Sequence, residues 1–188
     1  DDTNNILQRF SKKDTRIKIY KNEKNLGLTK SLNKLINLSS GEYIARQDAD
    51  DYSVRERIST QIDLLEKLGA DAVTSRAKII SNSKKIPGLS FYIPVKLARK
   101  YKNPFIHGTL LIKKDVINKI GNYDENFLYS QDFKLFNDLL KSGYKVKNLN
   151  KFLYHINMDD NISKNKTEEQ KYYFDCVRKN LNPWFNAS

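Results

Sequence analysis

Two aspartates one residue apart, Asp48 and Asp50, are the side chains whose types and spacing in this sequence best suit chemistry. Asp51 follows them directly and completes an acidic cluster. Carboxylate oxygens are the ligands that hard divalent cations prefer, and a cation held there could neutralise a diphosphate. The cluster does not fit a helix-loop-helix calcium site, because no Gly stands at the sixth position and no Glu at the twelfth. Taken alone, the pattern is also compatible with a solvated acidic turn or with a phosphotransferase site.

The elements around the acidic cluster follow from hydrophobic spacing. Residues 42–46 alternate as a strand and lead straight into the cluster. The carboxylates are therefore expected at the C-terminal end of a strand, where open α/β sheets bind their ligands. Ser53 and Glu56 match a capping box, and the apolar spacing after them predicts a helix from about residue 53 to 67.

Strands and helices alternate along the rest of the chain, which predicts an α/β fold with a mostly parallel sheet. Further strands are expected at residues 16–20, 72–74 and 107–112, and edge strands at 144–146 and 152–154. Further helices are expected to begin near residues 3, 28, 116, 130 and 167. Residues 81–102 are basic and irregular, and we interpret them as surface loops around a short helix.

Composition limits the class of protein. The chain has 188 residues, 39% of them hydrophobic, which suits one domain and excludes a disordered basic tail. A single cysteine, Cys176, cannot form an internal disulfide, so the sequence is not a disulfide scaffold and the cytoplasm is the expected compartment. No apolar run reaches the roughly 18 residues that a membrane span needs.

The net charge of +12, from 34 Lys and Arg against 22 Asp and Glu, raises the question of an anionic partner. Basic residues alternate with acids, as in Lys12-Lys13-Asp14, and no zinc-finger, basic-zipper or RNA-recognition pattern is present. We therefore expect no nucleic-acid partner. Nucleotide phosphates and the acidic surface of a membrane remain as anionic partners.

The sequence contains a series of short motifs within residues 3–163. They are residues 25–33, residues 41–51, Arg55-Glu56-Arg57 with Gln61, Pro104-Phe105-Ile106-His107, residues 121–125, and residues 130–133. In order and spacing they resemble the family 2 glycosyltransferases of bacterial surface-polysaccharide assembly. This resemblance is far more specific than one pair of aspartates.

The resemblance implies a GT-A fold with two fused halves. Residues 1–80 would form the half that binds the nucleotide-sugar and metal, residues 81–163 the half with the acceptor and the catalytic base, and residues 164–188 a helical tail. Family members begin with a strand, a helix and a strand that this sequence does not contain. We therefore expect the 188 residues to be most of a longer catalytic domain.

The resemblance also implies roles for the acidic residues. Asp48 would contact the ribose or the sugar, and Asp50 would hold Mn²⁺ or Mg²⁺ against the diphosphate. Asp132 corresponds to the general base of the family. Gln131 stands where family members usually have Glu, and Tyr154-His155 stands where they usually have Tyr-Arg, so a role for His155 is not expected.

Other residues have two open interpretations. Arg46, Asn25 and Asn33 are candidates for donor binding, and His107, Tyr123 and Gln131 for the acceptor side of the pocket. Asn25 is equally typical of a turn and Asn33 of a helix surface, whereas His107 before a buried strand is often structural. Arg46, Arg55 and Arg57 could serve only as surface charges. Asp132 could serve only as a charge in the first turn of a helix.

The sequence thus predicts an inverting, metal-dependent glycosyltransferase. Its donor would be a nucleotide-diphosphate sugar, with a UDP-sugar the first candidate, and its acceptor a saccharide or lipid-linked saccharide of a capsule, O-antigen or lipooligosaccharide. We expect a cytoplasmic protein, with peripheral association at the inner face of the plasma membrane as an option. The alternatives are a catalytically silent saccharide- or nucleotide-binding module on the same fold, and a metal-dependent nucleotidyltransferase.

Overall fold

A six-stranded sheet lies at the centre of the computed structural model, which describes residues 2–158 and 167–184. The strands are β1 (Tyr43–Ala45), β2 (Tyr52–Ser53), β3 (Ala72–Ile79), β4 (Lys85–Ile86), β5 (Leu111–Lys113) and β6 (Val146–Ile156). Their spatial order is β1-β5-β3-β6-β2, and β4 pairs with β3 beside this path.

Strand direction corrects one expectation from the sequence. The long β3–β6 pairing is parallel, whereas the other strand pairings among the described residues are antiparallel. Since β1 and β3 are both antiparallel to β5, the strands β1, β3 and β6 point the same way. The α/β class is confirmed, but the sheet is mixed instead of mostly parallel. The reason is that β5 returns between β1 and β3 in the opposite direction and keeps them from pairing directly.

Helices pack against the sheet, and the last of those described ends at Lys179. They are α1 (Thr3–Lys13), α2 (Gly27–Leu38), α3 (Arg57–Lys67), α4 (Val95–Ala98), α5 (Lys114–Lys119), α6 (Gln131–Lys141) and α7 (Thr167–Lys179). Short 3₁₀ helices lie at Leu89–Tyr92 and His107–Thr109. Within the described residues, no helix is both long and apolar enough to cross a membrane.

Three strand predictions are wrong in detail. Residues 16–20 form no strand, because in the described chain no other strand pairs with this alternating run. The strand expected at 107–112 begins only at Leu111, after a 3₁₀ turn. The two expected edge strands are one long strand, β6, which lies between β3 and β2 inside the sheet.

The capping box at Ser53 and Glu56 is also wrong. Ser53 belongs to β2, where it pairs with Tyr154, and α3 begins only at Arg57. The Ser53 hydroxyl donates to Gln47 Oε1 at 2.6 Å, so it is engaged outside the helix that it was expected to cap. A pairing between distant strands has overridden a local helix signal.

The core has three parts. The largest joins β3, β5 and β6 to α2, α5 and α6, with Ile112, Leu135 and Phe136 almost fully buried. A second cluster lies under α3. In the third, Tyr173 and Cys176 of α7 pack on Phe127 and Phe133, so the aromatic tail is a packing element and Cys176 is buried. In the sequence Thr167 and Gln170 match a capping box, but the side chain of Thr167 lies outside the described side chains.

Candidate active site

The acidic cluster forms a turn directly after β1. Backbone hydrogen bonds fix both ends of this turn: Arg46 N donates to Leu110 O at 2.9 Å, and Asp51 N donates to Asp48 O at 3.3 Å. The first bond joins the turn to the segment before β5. The carboxylates therefore lie at the C-terminal end of a strand, as the sequence predicts.

Hydrogen bonds from Gln47 and Arg57 fix the backbone of the acidic turn. Gln47 Nε2 donates to Asp48 O at 3.1 Å and to Asp51 O at 2.9 Å. Arg57 Nη1 donates to Gln47 Oε1 at 2.9 Å, and its Nη2 donates to Arg46 O at 2.6 Å. Arg57 thus positions the turn directly, through Arg46 O, and indirectly, through Gln47.

Arg57 is buried, and no carboxylate within residues 2–158 and 167–184 pairs with it. It is 2% exposed, and its remaining hydrogen bonds run to Ser53 Oγ and Gln61 Oε1, which are also neutral oxygens. Its guanidinium lies 4.9 Å from the centre of the Tyr154 ring. Burial lowers the pKa of Arg57 below its ordinary value. The interpretation of Arg57 as a surface charge is wrong.

Strand β6 supplies a second support for the turn. Asp48 N donates to the Tyr154 hydroxyl at 3.0 Å, and Asn157 N donates to Asp51 Oδ1 at 2.7 Å. Asp51 is 8% exposed, and burial raises the pKa of its carboxyl. Asp51 therefore anchors the turn through its buried carboxylate, whereas the side chain of Asp50 is exposed.

Gly108 allows Tyr154 to reach the turn. A Cβ atom at this position would lie 2.8 Å from the Tyr154 hydroxyl oxygen and 3.1 Å from two ring carbons. Such contacts are shorter than side chains tolerate, so the residue after His107 must be Gly for the Tyr154 ring to pack where it does.

Asp132 lies in the first turn of α6, after Ser130 in the left-handed conformation (φ 54°). Asn103 Nδ2 donates to Asp132 Oδ2 at 2.8 Å. Burial raises the pKa of the Asp132 carboxyl, while hydrogen bonds from the Phe133 backbone and from Asn103 act in the opposite direction. The carboxylate is held in one orientation and is more basic than an exposed aspartate.

His107 and Tyr123 form a close polar pair, in which Tyr123 is buried and His107 is half-buried. His107 Nε2 lies 2.6 Å from the Tyr123 hydroxyl, and burial keeps the pKa of His107 well below its ordinary value. The imidazole is therefore neutral at pH 7. Asn33 fixes the Tyr123 backbone from both sides, because its amide accepts from Tyr123 N at 3.0 Å and donates to Tyr123 O at 2.9 Å.

A cavity of about 590 Å³ brings most of the predicted site residues together. The predicted residues that line it are Arg46, Asp48, Asp50, His107, Gln131 and Asp132. The acidic turn and the first turn of α6 thus face the same space although they are far apart in the sequence. His155 does not line this cavity.

The remaining predicted residues lie outside the cavity lining. Tyr123 does not line the cavity, but its hydroxyl contacts His107, which does. Asn33 is buried against Tyr123, so its geometry does not support donor contact. Asn25 is exposed, and its side-chain oxygen accepts from Gly27 N at 2.9 Å, which is the turn role left open by the sequence.

Three residues that shape the site are not among the candidate site residues predicted from the sequence: Arg57, Tyr154 and Asn103. Two signals were available, because Arg57 lies in a family motif and shares a helix face with Gln61, and Tyr154 stands at the family's Tyr-Arg position. Asn103 stands outside any motif, and only the fold brings it to Asp132.

The donor set fits a divalent cation that is held jointly by protein and substrate. Among the described residues, no group of three metal-ligating side chains forms a closed site, and no hydrogen bond or ion pair engages the exposed Asp50 carboxylate. Asp48 is instead paired with Arg46. Mg²⁺ is commonly held by one or two carboxylates together with substrate phosphates, and Asp50 can supply such a ligand.

Two curated relatives resemble this chain in sequence. An uncharacterized glycosyltransferase of Methanocaldococcus jannaschii is 31% identical over 180 residues, which are 90% of this chain and 61% of the relative. The amylovoran biosynthesis glycosyltransferase AmsE of Erwinia amylovora is 34% identical over 134 residues, which are 68% of this chain and 49% of that protein. The chain therefore spans between about half and three fifths of the relatives' length.

Two solved structures share the fold. S. aureus TarS in complex with UDP-GlcNAc superposes with a TM-score of 0.68 at 17% identity, covering 98% of this chain and 56% of that one. The mannosyltransferase PcManGT of Pyrobaculum calidifontis, in complex with GDP-Man and Mn²⁺, gives a TM-score of 0.71 at 15% identity, covering 97% and 53%. These likenesses confirm the GT-A fold.

The family follows from the sequence match. The model of glycosyl transferase family 2 matches residues 1–134, which include the acidic turn and Asp132. The same stretch carries the ordered motifs from which the resemblance was inferred. The chain belongs to glycosyl transferase family 2.

Proposed function

We propose that the protein transfers a sugar from a nucleotide-diphosphate donor to a hydroxyl of a growing surface glycan, with inversion at the anomeric carbon. The observation that carries this proposal is the shared cavity, which Asp48, Asp50 and Asp132 all line. The acidic turn can bind the diphosphate of a donor and Asp132 can accept a proton, and a single displacement needs both functions in one cavity.

Asp132 is proposed as the general base. It takes the proton of the acceptor hydroxyl while the oxygen forms a bond to the anomeric carbon and the bond from that carbon to the diphosphate breaks. Burial raises the pKa of the Asp132 carboxyl and so makes it a better proton acceptor. Asn103 keeps the carboxylate in place. Attack on the face opposite the leaving group inverts the configuration.

Arg46 and Asp48 are proposed to bind the donor, and Asp50 to hold Mn²⁺ or Mg²⁺. The Arg46 side chain is 10% exposed, and its Nε is buried without a hydrogen-bond partner among the described residues. Arg46 also lines the cavity, where its guanidinium can bind a phosphate or sugar oxygen of the donor. A divalent cation held by Asp50 would stabilise the negative charge of the leaving diphosphate.

The relatives support the substrate class. AmsE is named for amylovoran biosynthesis, and the two solved structures hold UDP-GlcNAc and GDP-Man. We propose a UDP-sugar as the first donor to test, with a saccharide or lipid-linked saccharide as acceptor. We also propose that residues 1–80 serve the donor and metal and residues 81–163 the acceptor and base, in a cytoplasmic protein associated peripherally with the membrane.

The test is a screen of nucleotide-sugars with the full-length protein, read by release of nucleoside diphosphate with Mn²⁺, with Mg²⁺ and with EDTA. Asp132→Asn should lower kcat by about 10²- to 10⁴-fold, which is the usual contribution of a general base, and should leave the affinity for the donor unchanged. Asp50→Ala should abolish the increase in donor affinity that Mn²⁺ causes in calorimetry. Asp63→Asn, an exposed acid on α3, is the matched control and should change neither.

Substantial turnover by the Asp132→Asn variant would refute the assignment of the base. One observation favours a second candidate: Gln131 lines the cavity where the family usually has Glu. A catalytically silent saccharide-binding module would bind saccharide but release no nucleoside diphosphate in any arm of the screen. A nucleotidyltransferase would instead give a product that carries the nucleotide.

A further inference from the structure

The positive charge of the chain is concentrated in one segment. Residues 72–114 contain ten of the 34 Lys and Arg residues and none of the 22 Asp and Glu residues. The rest of the chain therefore carries 24 bases against 22 acids and is nearly neutral. The expectation that basic residues alternate with acids throughout is wrong for this segment.

Large apolar side chains are exposed in the same segment. Leu89 is 88% exposed, Tyr101 76% and Tyr92 67%, and Ile93 and Leu97 are also exposed. Five such residues within thirteen positions form more than the scattered apolar residues of an ordinary surface, and apolar patches rimmed by polar residues mark interaction sites.

The apolar and basic side chains meet at one cleft of about 960 Å³. Phe91, Ile93 and Leu97 line it together with basic residues. The basic residues at this cleft are Lys96, Arg99, Lys100 and Lys147. We term residues 84–102, which supply most of its lining, the basic face.

The basic face is held on the sheet by Arg76 of β3. Arg76 donates to Pro87 O from Nε at 3.2 Å and from Nη2 at 3.0 Å, and its guanidinium lies 5.0 Å from the centre of the Phe91 ring. Lys102 Nζ donates to Ser90 Oγ at 2.6 Å and ties the C-terminal end of the face to the 3₁₀ helix at Leu89–Tyr92. The face is thus presented as a formed surface.

The exposed lysines of the basic face have no acidic partners. In residues 2–158 and 167–184, no ion pair involves Lys84, Lys96 or Lys100, which are all exposed. Uncompensated charge beside exposed Leu and Tyr has a high affinity for a surface that is both anionic and apolar. A lipid bilayer with anionic headgroups has this combination.

We propose that the basic face docks the protein on a membrane that contains anionic lipid. Each lysine near such a surface adds about fivefold to the affinity, while tyrosine and leucine insert at the headgroup level. Nucleic acid fits less well, because the exposed Leu89, Ile93 and Leu97 have no counterpart on a phosphate backbone. The basic face ends next to Asn103, which contacts Asp132, so docking would bring the candidate site to the membrane.

The experiment is flotation of the purified protein with vesicles of phosphatidylcholine alone or with about one-third phosphatidylglycerol, at low and physiological salt. We expect binding to the anionic vesicles only. The double substitution Lys96→Glu and Lys100→Glu should lower the partition coefficient at least about tenfold. Lys12→Glu with Lys13→Glu, an equal charge change at exposed positions of α1, is the matched control and should lower it far less.

A second pair, Leu89→Ser and Tyr92→Ser, should weaken binding even at high salt, where the charge contribution is screened. Circular dichroism checks that all variants fold, which exposed substitutions should allow. Equal loss in the basic-face and α1 variants would overturn the proposal, as would binding to pure phosphatidylcholine or to duplex DNA but not to anionic vesicles. Donor hydrolysis is measured in parallel, so the docking proposal can fail while the proposed reaction stands.

Discussion

The candidate active site and the basic face both gather charged side chains, but they hold them in opposite ways. Arg57 is buried and donates hydrogen bonds to several neutral oxygens in and beside the acidic turn, and the largely buried Arg46 pairs with Asp48. Lys96 and Lys100 are exposed and have no ion-pair partners in the described chain. Loss of a buried, hydrogen-bonded group leaves its partners without hydrogen bonds, whereas loss of an exposed charge leaves no buried group unsatisfied and changes the stability little. Substitutions in the site should therefore have large single effects, and those on the face small, additive and salt-dependent ones.

The strongest test of this comparison is Arg57→Met. It leaves several buried oxygens without a donor, so we expect the free energy of unfolding to fall by about 3 kcal/mol, with loss of donor binding. Urea unfolding followed by circular dichroism measures the first and calorimetry the second. Arg55→Met, two residues away and exposed, is the control and should change the stability by less than about 0.5 kcal/mol. Equal effects at both positions would contradict the role of Arg57.

A smaller loss is expected from Gly108→Ala. The added methyl group displaces Tyr154 and breaks its bond to the Asp48 backbone, which should cost about 2 kcal/mol of stability. The same substitution in a Tyr154→Phe background should cost less, because the closest atom in the clash is then gone. A double-mutant cycle measures the coupling, and strict additivity would disprove the close contact.

A moderate change in pH dependence is expected from Asn103→Ala. The hydrogen bond from Asn103 favours the ionised form of Asp132, so its loss should raise the pKa of that carboxyl further. A general base must be ionised, so the acidic limb of kcat/KM should move to higher pH, with little change on the alkaline side. If the limb stays where it is, Asp132 is not the group that titrates in the reaction.

The smallest effect is expected from Lys100→Glu on the basic face. Its side chain is exposed, so we expect less than about 0.5 kcal/mol in stability and less than a twofold change in turnover with a soluble acceptor. Vesicle binding should nevertheless fall several-fold. A large loss of turnover without membranes would show that the two regions are not separate.

The sequence predicts those parts of the molecule that depend on local spacing. The strand before the acidic turn and the helix that carries Asp132 both follow from periodicity and from motifs at family spacing. The antiparallel β5 could not be predicted, because strand pairing is decided by contacts far apart in the chain. For the same reason Ser53 belongs to a strand and not to the helix that it was expected to cap.

Burial was also beyond sequence reasoning. Arginine is typical of protein surfaces, and only the arrangement of neutral oxygens around Arg57 accounts for its burial. Asn33 illustrates the reverse case, since a polar residue within a family motif serves the Tyr123 backbone and not the cavity. The sequence motifs therefore indicate which residues belong to the site, but the contacts in the structure are needed to assign a role to each residue.

Two hydrogen bonds from backbone N–H groups to side chains join the acidic turn to β6 and to the residue after it, and they have a consequence for folding. Asp48 N–H bonds the Tyr154 hydroxyl and Asn157 N–H bonds the Asp51 carboxylate, each across 106 residues of chain. The turn can acquire its final shape only after β6 has docked, so the site forms late in folding, once a large loop has closed. Amide hydrogen exchange at Asp48 would therefore report the docking of β6, and a nascent chain that stops before β6 would contain Asp48, Asp50 and Asp51 but could not form the turn that holds them.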